Sequence, residues 1–326
     1  MKVNAVLVVG GSGFIGRHLV AALTAAGMRV TVPSRRRERA KHLILLPTVD
    51  VVECDVMVPG VLERLCAGQQ AVVNLVGVLN SRRGRADERG PNDYGPDFAR
   101  MHVELPQAVV AACRAAGVPR LLHMSALGAS PGGASEYQRS KGIGEQAVLA
   151  AEDLSVSVFR PSIVFGPEDA FLNRFAQMAS LLPAIAVPCP QARFQPVYVG
   201  DVARAMHYSL DDPEARGQRY DLCGPREYTM QELVELVCAL TGRRRVVFGL
   251  SDRLSYLQAW MLEHLPGKLM TRDNYRSMQV PNTCSTEFPF GIVPEALEAV
   301  APTYLAPLSN LRPRERYPQL RWRARR

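Results

Sequence analysis

The sequence predicts an α/β protein: a doubly wound parallel sheet with helices on both faces and a smaller C-terminal α/β part over a cofactor cleft. Two observations carry this prediction. An apolar, Val-rich run ends at Gly10, and the glycines Gly10, Gly13 and Gly16 lead directly into a segment with apolar residues at helical spacing. Further apolar strand segments then alternate with helical segments through the first half of the chain, which is typical of a parallel sheet.

The strand before the three glycines and the helix after them favour a dinucleotide-binding loop over a glycine-rich turn before an ordinary helix. Gly10 suits a tight turn, Gly13 lets the backbone approach a pyrophosphate, and Gly16 lets the helix pack close to the strand. The N–H groups at the start of such a helix bind phosphate oxygens. We therefore assign six residues of this loop to cofactor binding: Gly10, Ser12, Gly13, Phe14, Ile15 and Gly16.

The second predicted strand, over 28–33, is followed by a basic segment, Ser34-Arg35-Arg36-Arg37. An NAD-binding protein of this fold usually has an acidic residue here, which binds the ribose 2′-hydroxyl. The segment has no carboxylate, and Arg offers planar, bidentate donors to a 2′-phosphate. The sequence therefore favours NADP(H) over NAD(H), with Ser34, Arg35 and Arg36 in the site, and a solvated basic loop is the alternative.

Two more strands are predicted over 49–55 and 71–77, and both end where the cofactor should lie. We expect the end of the third strand to face the adenine and the end of the fourth to let the backbone pass close to the dinucleotide. A polar loop over 81–96 and a helix over about 98–116 follow. These strand ends add five cofactor-binding residues: Asp55, Val56, Leu75, Val76 and Gly77.

A fifth strand, over 120–125, ends at Ser125, and Tyr137 and Lys141 follow on one face of a predicted helix. A tyrosine with a pKa of about 10 is a poor base at neutral pH. A nearby ammonium favours the phenolate and lowers that pKa, so that Tyr137 can exchange a proton with a carbonyl or alcohol oxygen. We predict that Ser125 orients that oxygen and that Lys141, besides its effect on the tyrosine, reaches the nicotinamide ribose.

Taken together, the glycine loop, Ser125 and the Tyr137–Lys141 pair resemble the short-chain dehydrogenase/reductase superfamily. Two later segments, 160–167 and 196–203, resemble its extended branch, which includes nucleotide-sugar epimerases and dehydratases. In that branch the first of these segments runs past the nicotinamide and the second returns to the dinucleotide-binding domain. The resemblance therefore adds two cofactor-binding residues: Pro161 and Ile163.

Two segments, 74–79 and 269–278, resemble an atypical extended group that contains the NADPH-bearing accessory subunit of respiratory complex I and its bacterial relatives. This resemblance implies a tightly held NADPH with a structural role, linked to complex I or to quinone metabolism. The alternative is an active NADP-dependent oxidoreductase on a hydrophobic carbonyl, with Ser125, Tyr137 and Lys141 as its catalytic residues. A nucleotide-sugar epimerase is a third reading, which the short span between Ser125 and Tyr137 disfavours.

The chain is predicted to form a dinucleotide-binding domain over 1–167 and 196–224, a C-terminal domain over 168–195 and 225–311, and a basic tail over 312–326. The tail has seven arginines and one glutamate, a net charge of +6, which leaves +2 of the +8 for the rest of the chain. The charge is therefore largely a property of the tail rather than of the fold.

A segment over 254–265 has an apolar stripe at helical spacing, and we expect it to cover the cleft or pack on the core. The sharper alternative is a face for a membrane surface or a quinone, with Trp260 and the tail tryptophan, Trp322, suited to anionic headgroups. The tail contains no nucleic-acid recognition motif, so no nucleic-acid partner is expected, and a solvated tail remains open.

With 326 residues, 47% of them hydrophobic, the chain is large enough to bury a substantial core. It lacks apolar runs of membrane-spanning length and a signal peptide, so we expect a cytoplasmic protein, and a place peripheral to the inner membrane face is the alternative. Seven cysteines without a C-x-x-C pair indicate buried, reduced thiols, and the six histidines do not show metal-ligand spacing. No metal is predicted.

Overall fold

The computed structural model describes residues 3–82, 84, 93–265 and 269–306, and these form two compact units. The first unit contains the residues up to Ser162 together with Val199–Cys223 and Asn282–Val293. The remaining described residues form the second unit. The structure thus places Asn282–Val293 in the first unit, whereas the predicted boundaries grouped this segment with the C-terminal domain, and 163–167 and 196–198 lie in the second unit instead of the first.

The strands and helices follow in chain order. The strands are β1 (Ala5–Val9), β2 (Arg29–Ser34), β3 (Val49–Glu53), β4 (Ala71–Asn74), β5 (Arg120–Met124), β6 (Ser155–Pro161), β7 (Val164–Phe165), β8 (Ala184–Val187), β9 (Arg193–Phe194), β10 (Val197–Tyr198), β11 (Gln218–Leu222), β12 (Tyr228–Thr229) and β13 (Val246–Gly249). The α-helices are α1 (Phe14–Ala25), α2 (Val61–Cys66), α3 (Pro96–Phe98), α4 (Leu105–Ala116), α5 (Glu136–Leu149), α6 (Phe171–Leu181), α7 (Val199–Ser209), α8 (Met230–Leu240), α9 (Asp252–Leu262), α10 (Arg272–Ser277), α11 (Leu297–Val300) and α12 (Pro302–Leu305). The segment Ala99–Glu104 is π-helical, and Arg37–Leu43, Pro213–Ala215 and Pro289–Gly291 are 3-10 helices.

The first unit is built on a seven-stranded sheet in the order β3-β2-β1-β4-β5-β6-β11, as far as the described residues show, and all its neighbouring strands are parallel. The order 3-2-1-4-5-6 is that of a dinucleotide-binding Rossmann sheet, and its reversal beside β1 creates the crevice where such proteins bind their cofactor. The predicted doubly wound α/β fold is confirmed.

Both faces of this sheet are covered. Leu7 and Val9 of β1 belong to a buried cluster with side chains from α2, α4 and α5, while Val6 and Val8, which point to the other face, are equally buried. On that other side α1 packs against α7. Burial on both faces explains why the strands read as continuous apolar runs rather than alternating ones.

The second unit has a core between α6 and α8, with the short parallel pairs β7–β10 and β8–β13 and the antiparallel pair β9–β12 around it. Helix α9 contains residues 254–262 of the segment 254–265, for which the sequence predicts an apolar stripe. Five apolar side chains of this segment are about half exposed: Leu254, Leu257, Trp260, Met261 and Leu265. Among the helices of the described ranges, none combines the length and apolar character needed to cross a bilayer.

The expectation that all seven cysteines are reduced is wrong for two of them. Cys223, directly after β11, and Cys284 form a disulfide that closes a loop with a sequence separation of 61 residues. The spacing rules did not find this pair because its cysteines are far apart in sequence and meet only when the segment Asn282–Val293 joins the first unit. Cys54, Cys66, Cys113, Cys189 and Cys238 are free thiols.

Candidate functional site

The glycine loop between β1 and α1 is shaped by close approaches of its own backbone. Gly10 has a φ of +89°, which favours glycine, and a Cβ atom there would lie 3.2 Å from the Leu75 carbonyl carbon. A Cβ on Gly16 would lie 2.4 Å from the Gly10 oxygen, so helix α1 can start this close to β1 only because residue 16 has no side chain. Gly13 is the residue before the helix, and no side chain caps its first turn. The N–H groups of that turn therefore remain able to bind an anion.

The basic segment after β2 lies at the C-terminal edge of the sheet. Ser34 is buried, and its hydroxyl donates to the Arg36 carbonyl oxygen at 2.8 Å. This hydrogen bond stabilises the turn that follows β2. Arg35 and Arg36 are exposed, and neither is in an ion pair with another described residue. Asp55 accepts a hydrogen bond from the Met57 N–H at 3.0 Å, so its carboxylate orders the backbone that follows β3.

Lys141 lies at the centre of the predicted chemical site. Its side chain is 3% exposed, and Nζ donates to the Met124 carbonyl oxygen at 3.0 Å, one residue before Ser125. A Cβ on Gly77 would lie 3.1 Å from the same Nζ, so glycine lets the strand end after β4 come close to the ammonium. Burial lowers the pKa of Lys141 to about 8.

Tyr137 is partly buried against two rings. The centroid of its ring is 6.2 Å from that of Phe98 and 5.5 Å from that of His102, both in edge-to-face geometry. Burial raises the pKa of Tyr137 to about 12. We expected the Lys141 ammonium to lower this pKa, but the ammonium donates to Met124 instead and desolvation of the phenol dominates.

The Ser125 hydroxyl is buried and has no hydrogen-bond partner among the described residues. Beneath it, at the ends of β4 and β5, the Asn74 amide donates to His123 Nδ1 at 3.3 Å, and the Asn74 carbonyl oxygen accepts from the Val76 N–H at 3.2 Å. Burial, with a smaller contribution from the Lys141 charge, lowers the pKa of His123 to about 3. An unpartnered hydroxyl at a strand end is a polar group ready for a ligand.

His102 is a further part of this site, and the sequence alone did not indicate it. It lies in the π-helical segment before α4, where its Nε2 accepts from the Val78 N–H at 3.0 Å and its Nδ1 contacts the Ser140 hydroxyl at 2.9 Å. Burial and the Lys141 charge hold the pKa of His102 well below its usual range. The sequence carries no spacing signal for this residue, because its partners lie 24 and 38 positions away.

Most of the predicted site residues belong to the first unit, and the contacts link them in series. The glycine loop touches Leu75 and Val76, Gly77 approaches Lys141, and Lys141 bonds to the residue before Ser125. Pro161 is buried at the end of β6. Ile163 belongs to the second unit, where it packs against the core of that unit. The glycine cradle, the unpartnered hydroxyl and the free arginines fit a dinucleotide.

The chain is similar to two known proteins of different kinds. The chain is 30% identical to the mitochondrial NADH dehydrogenase (ubiquinone) 1 alpha subcomplex subunit 9 of Mus musculus, over 89% of this chain and 77% of the relative. It is 34% identical to the ceramide reductase of Caulobacter vibrioides, over 61% of this chain and 58% of that one.

A structure of UDP-glucuronic acid 4-epimerase from Bacillus cereus superposes with a TM-score of 0.67 at 17% identity, covers 93% of this chain and 99% of its own, and supports the fold alone. The model of the NAD dependent epimerase/dehydratase family matches residues 6–223, which include the sheet and the whole glycine-to-lysine site of the first unit. The chain therefore belongs to this family of nicotinamide dinucleotide-binding proteins of the extended short-chain dehydrogenase/reductase type.

Proposed function

We propose that this protein binds NADP(H), holds NADPH tightly as a resident cofactor, and serves an assembly linked to respiratory complex I or quinone metabolism. The observation that carries the proposal is the pair Arg35 and Arg36. Both are exposed after β2, and neither is in an ion pair with another described residue. The carboxylate of Glu53, beside this turn, accepts from the Arg37 N–H at 3.4 Å and leaves the guanidinium groups of Arg35 and Arg36 for another anion. A 2′-phosphate is an anion that planar guanidinium groups bind well.

Different residues of the first unit bind different parts of the dinucleotide. The first turn of α1 and the glycine loop bind the pyrophosphate, Asp55 and Val56 border the adenine, and 75–77 border the central part. Lys141 is the donor for the nicotinamide ribose, because Nζ has donors left beyond its one bond to Met124. When bound, NADPH would supply a hydride; the protein binds, orients and shields it.

The state of Tyr137 and Lys141 supports a resident cofactor over turnover as an alcohol dehydrogenase. Burial keeps the Tyr137 phenol protonated, with a pKa of about 12, and the Lys141 ammonium donates to a backbone carbonyl. Neither group is arranged to remove a proton from an alcohol at neutral pH, although a protonated phenol can donate one to a carbonyl oxygen. The similarity to a subunit of the mitochondrial NADH dehydrogenase agrees with a place in a respiratory assembly.

The partner side of the proposal depends on the second unit. The half-exposed stripe on α9 gives it an apolar face, with Trp260 at its centre. We propose that this face and the basic tail over 312–326, which lies outside the described residues, contact a membrane surface or a quinone-linked assembly, on the inner face of the membrane of a bacterial cell.

The first test identifies the nucleotide that the purified protein releases on denaturation, and then measures dissociation constants for NADPH and NADH. We expect NADPH to co-purify. The double variant Arg35→Ala/Arg36→Ala should bind NADPH at least about tenfold more weakly and NADH about as well as before, since only NADPH carries the 2′-phosphate. Arg39→Ala, an exposed arginine in the adjoining 3-10 helix, is the matched control. Equal affinity of the wild type for both dinucleotides would contradict the NADP preference.

A second candidate function is an NADP-dependent reductase of a hydrophobic carbonyl compound. The unpartnered Ser125 hydroxyl favours it, because a carbonyl oxygen would satisfy this buried donor. In that reaction Ser125 orients the oxygen, the protonated Tyr137 donates the proton, and Lys141 holds the ribose. The similarity to a protein named ceramide reductase agrees with a hydrophobic substrate.

Tyr137→Phe separates the two candidates. In both, this variant should bind NADPH nearly as well as the wild type, because the ring contacts with Phe98 and His102 remain. Absorbance of bound NADPH is followed during addition of quinones and aldehydes. Oxidation by one carbonyl class in the wild type and its loss in Tyr137→Phe would establish the reductase; NADPH that is never oxidised supports the resident cofactor.

A further inference from the structure

One buried side chain of the first unit joins the helix that carries Tyr137 to the strand end that borders the cofactor. His102 is 1% exposed, its ring stacks on Phe98 with centroids 5.2 Å apart, and it meets the Tyr137 ring edge-on. Helix α5 approaches the backbone of this histidine so closely that a Cβ on Gly144 would lie 1.8 Å from the His102 oxygen. Its position is therefore fixed from several sides.

The hydrogen bonds of His102 determine which of its nitrogens carries the proton. A backbone N–H can only donate, so the 3.0 Å contact from Val78 N requires that Nε2 accept. In the neutral ring the proton then lies on Nδ1, which donates to the Ser140 hydroxyl at 2.9 Å. The Ser140 hydroxyl in turn donates to the Tyr137 carbonyl oxygen at 3.0 Å. Three consecutive hydrogen bonds thus connect the Val78 N–H to the first turn of α5.

The strand end after β4, residues 75–78, is held by three such bonds, and we call it the cofactor loop. The Leu75 N–H donates to the Val9 carbonyl and the Val76 N–H to the Asn74 side chain. The third hydrogen bond runs from the Val78 N–H to His102. Val78 follows Gly77, the residue at which the loop approaches the Lys141 ammonium. Without His102 the side of the loop nearest Lys141 would lose its acceptor, and the partly buried Val78 N–H would be left without this partner.

We propose that His102 is the positioning residue that locks the cofactor loop to the Tyr137–Lys141 helix and so sets how long the nicotinamide half of the dinucleotide stays bound. This inference rests on the proposed function, since it assumes a dinucleotide along the loop. His102 acts through Val78 and Ser140 rather than by touching the reacting atoms. The adenosine half, which lies beside β2 and β3, does not depend on it.

Two substitutions separate the two hydrogen bonds. In His102→Gln the side-chain amide can reach the former Nε2 position and accept from Val78, while in His102→Asn it reaches only the former Nδ1 position and keeps the bond to Ser140. The protein is loaded with NADPH, and its release into excess NADP⁺ is followed by nicotinamide fluorescence. The affinity for 2′,5′-ADP, which has the adenosine half and the 2′-phosphate but no nicotinamide, is measured in parallel.

We expect NADPH to leave His102→Asn about tenfold faster and His102→Gln within about threefold of the wild-type rate, in keeping with one hydrogen bond lost or retained. The affinity for 2′,5′-ADP should stay the same in both. Equal release rates from the two variants, or an equal loss of 2′,5′-ADP affinity, would overturn the proposal. His102→Ala, where it folds, should release NADPH at least as fast as His102→Asn.

Failure of the proposed function has a different signature. If the wild type prefers NADH, the NADP preference is wrong, and the same series is measured with NADH and ADP. The order of the variants then still decides the role of His102. In the wild type, nitrogen-15 NMR of the histidine rings should show His102 as the Nδ1–H tautomer, and the opposite tautomer would contradict the hydrogen-bond assignment.

Discussion

The two halves of the candidate site are built in opposite ways. The glycine loop, residues 10–16, is a cradle of backbone in which missing side chains create the geometry, and all its members are neighbours in sequence. The second half, which we call the tyrosine cluster, consists of His102, Tyr137, Ser140 and Lys141. It is assembled from side chains on two segments and is closed by the backbone of two strand ends.

The two halves are expected to contribute differently to the unfolding free energy of the free protein. The cradle needs no buried charge, since partial charges of free N–H groups suffice for an anion. The cluster buries groups whose pKa values burial has moved away from their usual ranges: Lys141 downward, Tyr137 upward and His102 downward. At neutral pH the displacement at Lys141 reduces the stability of the free protein, because the buried lysine still carries its proton, and displaced pKa values are a sign of a functional site. Three experiments, from the largest expected effect to the smallest, test this comparison.

The largest effect is expected in the cradle. Gly16→Ala introduces a Cβ within 2.6 Å of backbone atoms of both Gly10 and Gly11, which cannot move without displacing β1 or α1. We expect a loss of roughly 3 kcal/mol in the free energy of unfolding, as for an overpacked core, together with loss of dinucleotide binding. Urea unfolding of the nucleotide-free protein and a binding titration measure the two effects.

Gly13→Ala is the matched control for that experiment. Its nearest obstacle is the Gly10 oxygen at 3.2 Å and its φ of −77° suits alanine, so the unfolding free energy should fall by less than about 1 kcal/mol. Dinucleotide affinity should nevertheless fall at least about tenfold, because the backbone could no longer approach the pyrophosphate. If both variants lost stability and binding in proportion, the loop would be a packing device and not an anion cradle.

Substitution of Lys141 tests whether the buried ammonium of the tyrosine cluster lowers the unfolding free energy. In Lys141→Met a side chain of similar length replaces a buried ammonium, and at pH 7 the unfolding free energy of the nucleotide-free protein should rise by roughly 2 kcal/mol. Lys141 should contribute a gain in stability as the pH rises from 8 to about 10.5, because the folded lysine has lost its proton while the unfolded one keeps it. Lys141→Met should lack this contribution, so the difference between the variant and the wild type should shrink over that pH range.

The same variant should bind NADPH more weakly, so that stability and binding change in opposite directions. Lys41→Met, at an exposed lysine paired with Glu38, is the control and should change the unfolding free energy by less than about 0.5 kcal/mol. A lower stability for Lys141→Met at pH 7 would mean that the bond to Met124 outweighs desolvation and that the lysine is part of the structural core.

The smallest effect is expected in the unfolding free energy at acidic pH. The pKa of His123 is about 3 in the folded protein and near 6.5 in the unfolded chain, so its stabilising share is complete above pH 6.5 and is lost as the pH falls. The wild type should lose about 1 kcal/mol per pH unit between pH 6 and 4 from this residue. His123→Gln should remove that share of the slope, as measured by urea unfolding at each pH.

His264→Gln, at an exposed histidine after α9, is the comparison, because it makes the same substitution outside the candidate site. Because the Lys141 charge also lowers the pKa of His123, Lys141→Met should reduce the same slope partway. An unchanged slope in His123→Gln would show that this histidine is protonated in the folded protein.

Much of the molecule follows from local sequence. The Val-rich strand, the glycines at 10, 13 and 16 and the helix after them predicted the parallel sheet and the glycine loop, because strand burial and glycine geometry are decided by residues close in the chain. Tyr137 and Lys141 were found for the same reason: four positions on one helix bring them to one face.

Long-range packing decided the rest. The partners of His102 come from positions 78 and 140, the disulfide joins Cys223 to Cys284, and the segment Asn282–Val293 returns to the first unit, none of which leaves a periodic signal in the sequence. The pKa of Tyr137 is also decided by long-range packing. Local spacing places an ammonium near the phenol, but burial, which depends on everything packed around the ring, determines the direction in which the pKa moves.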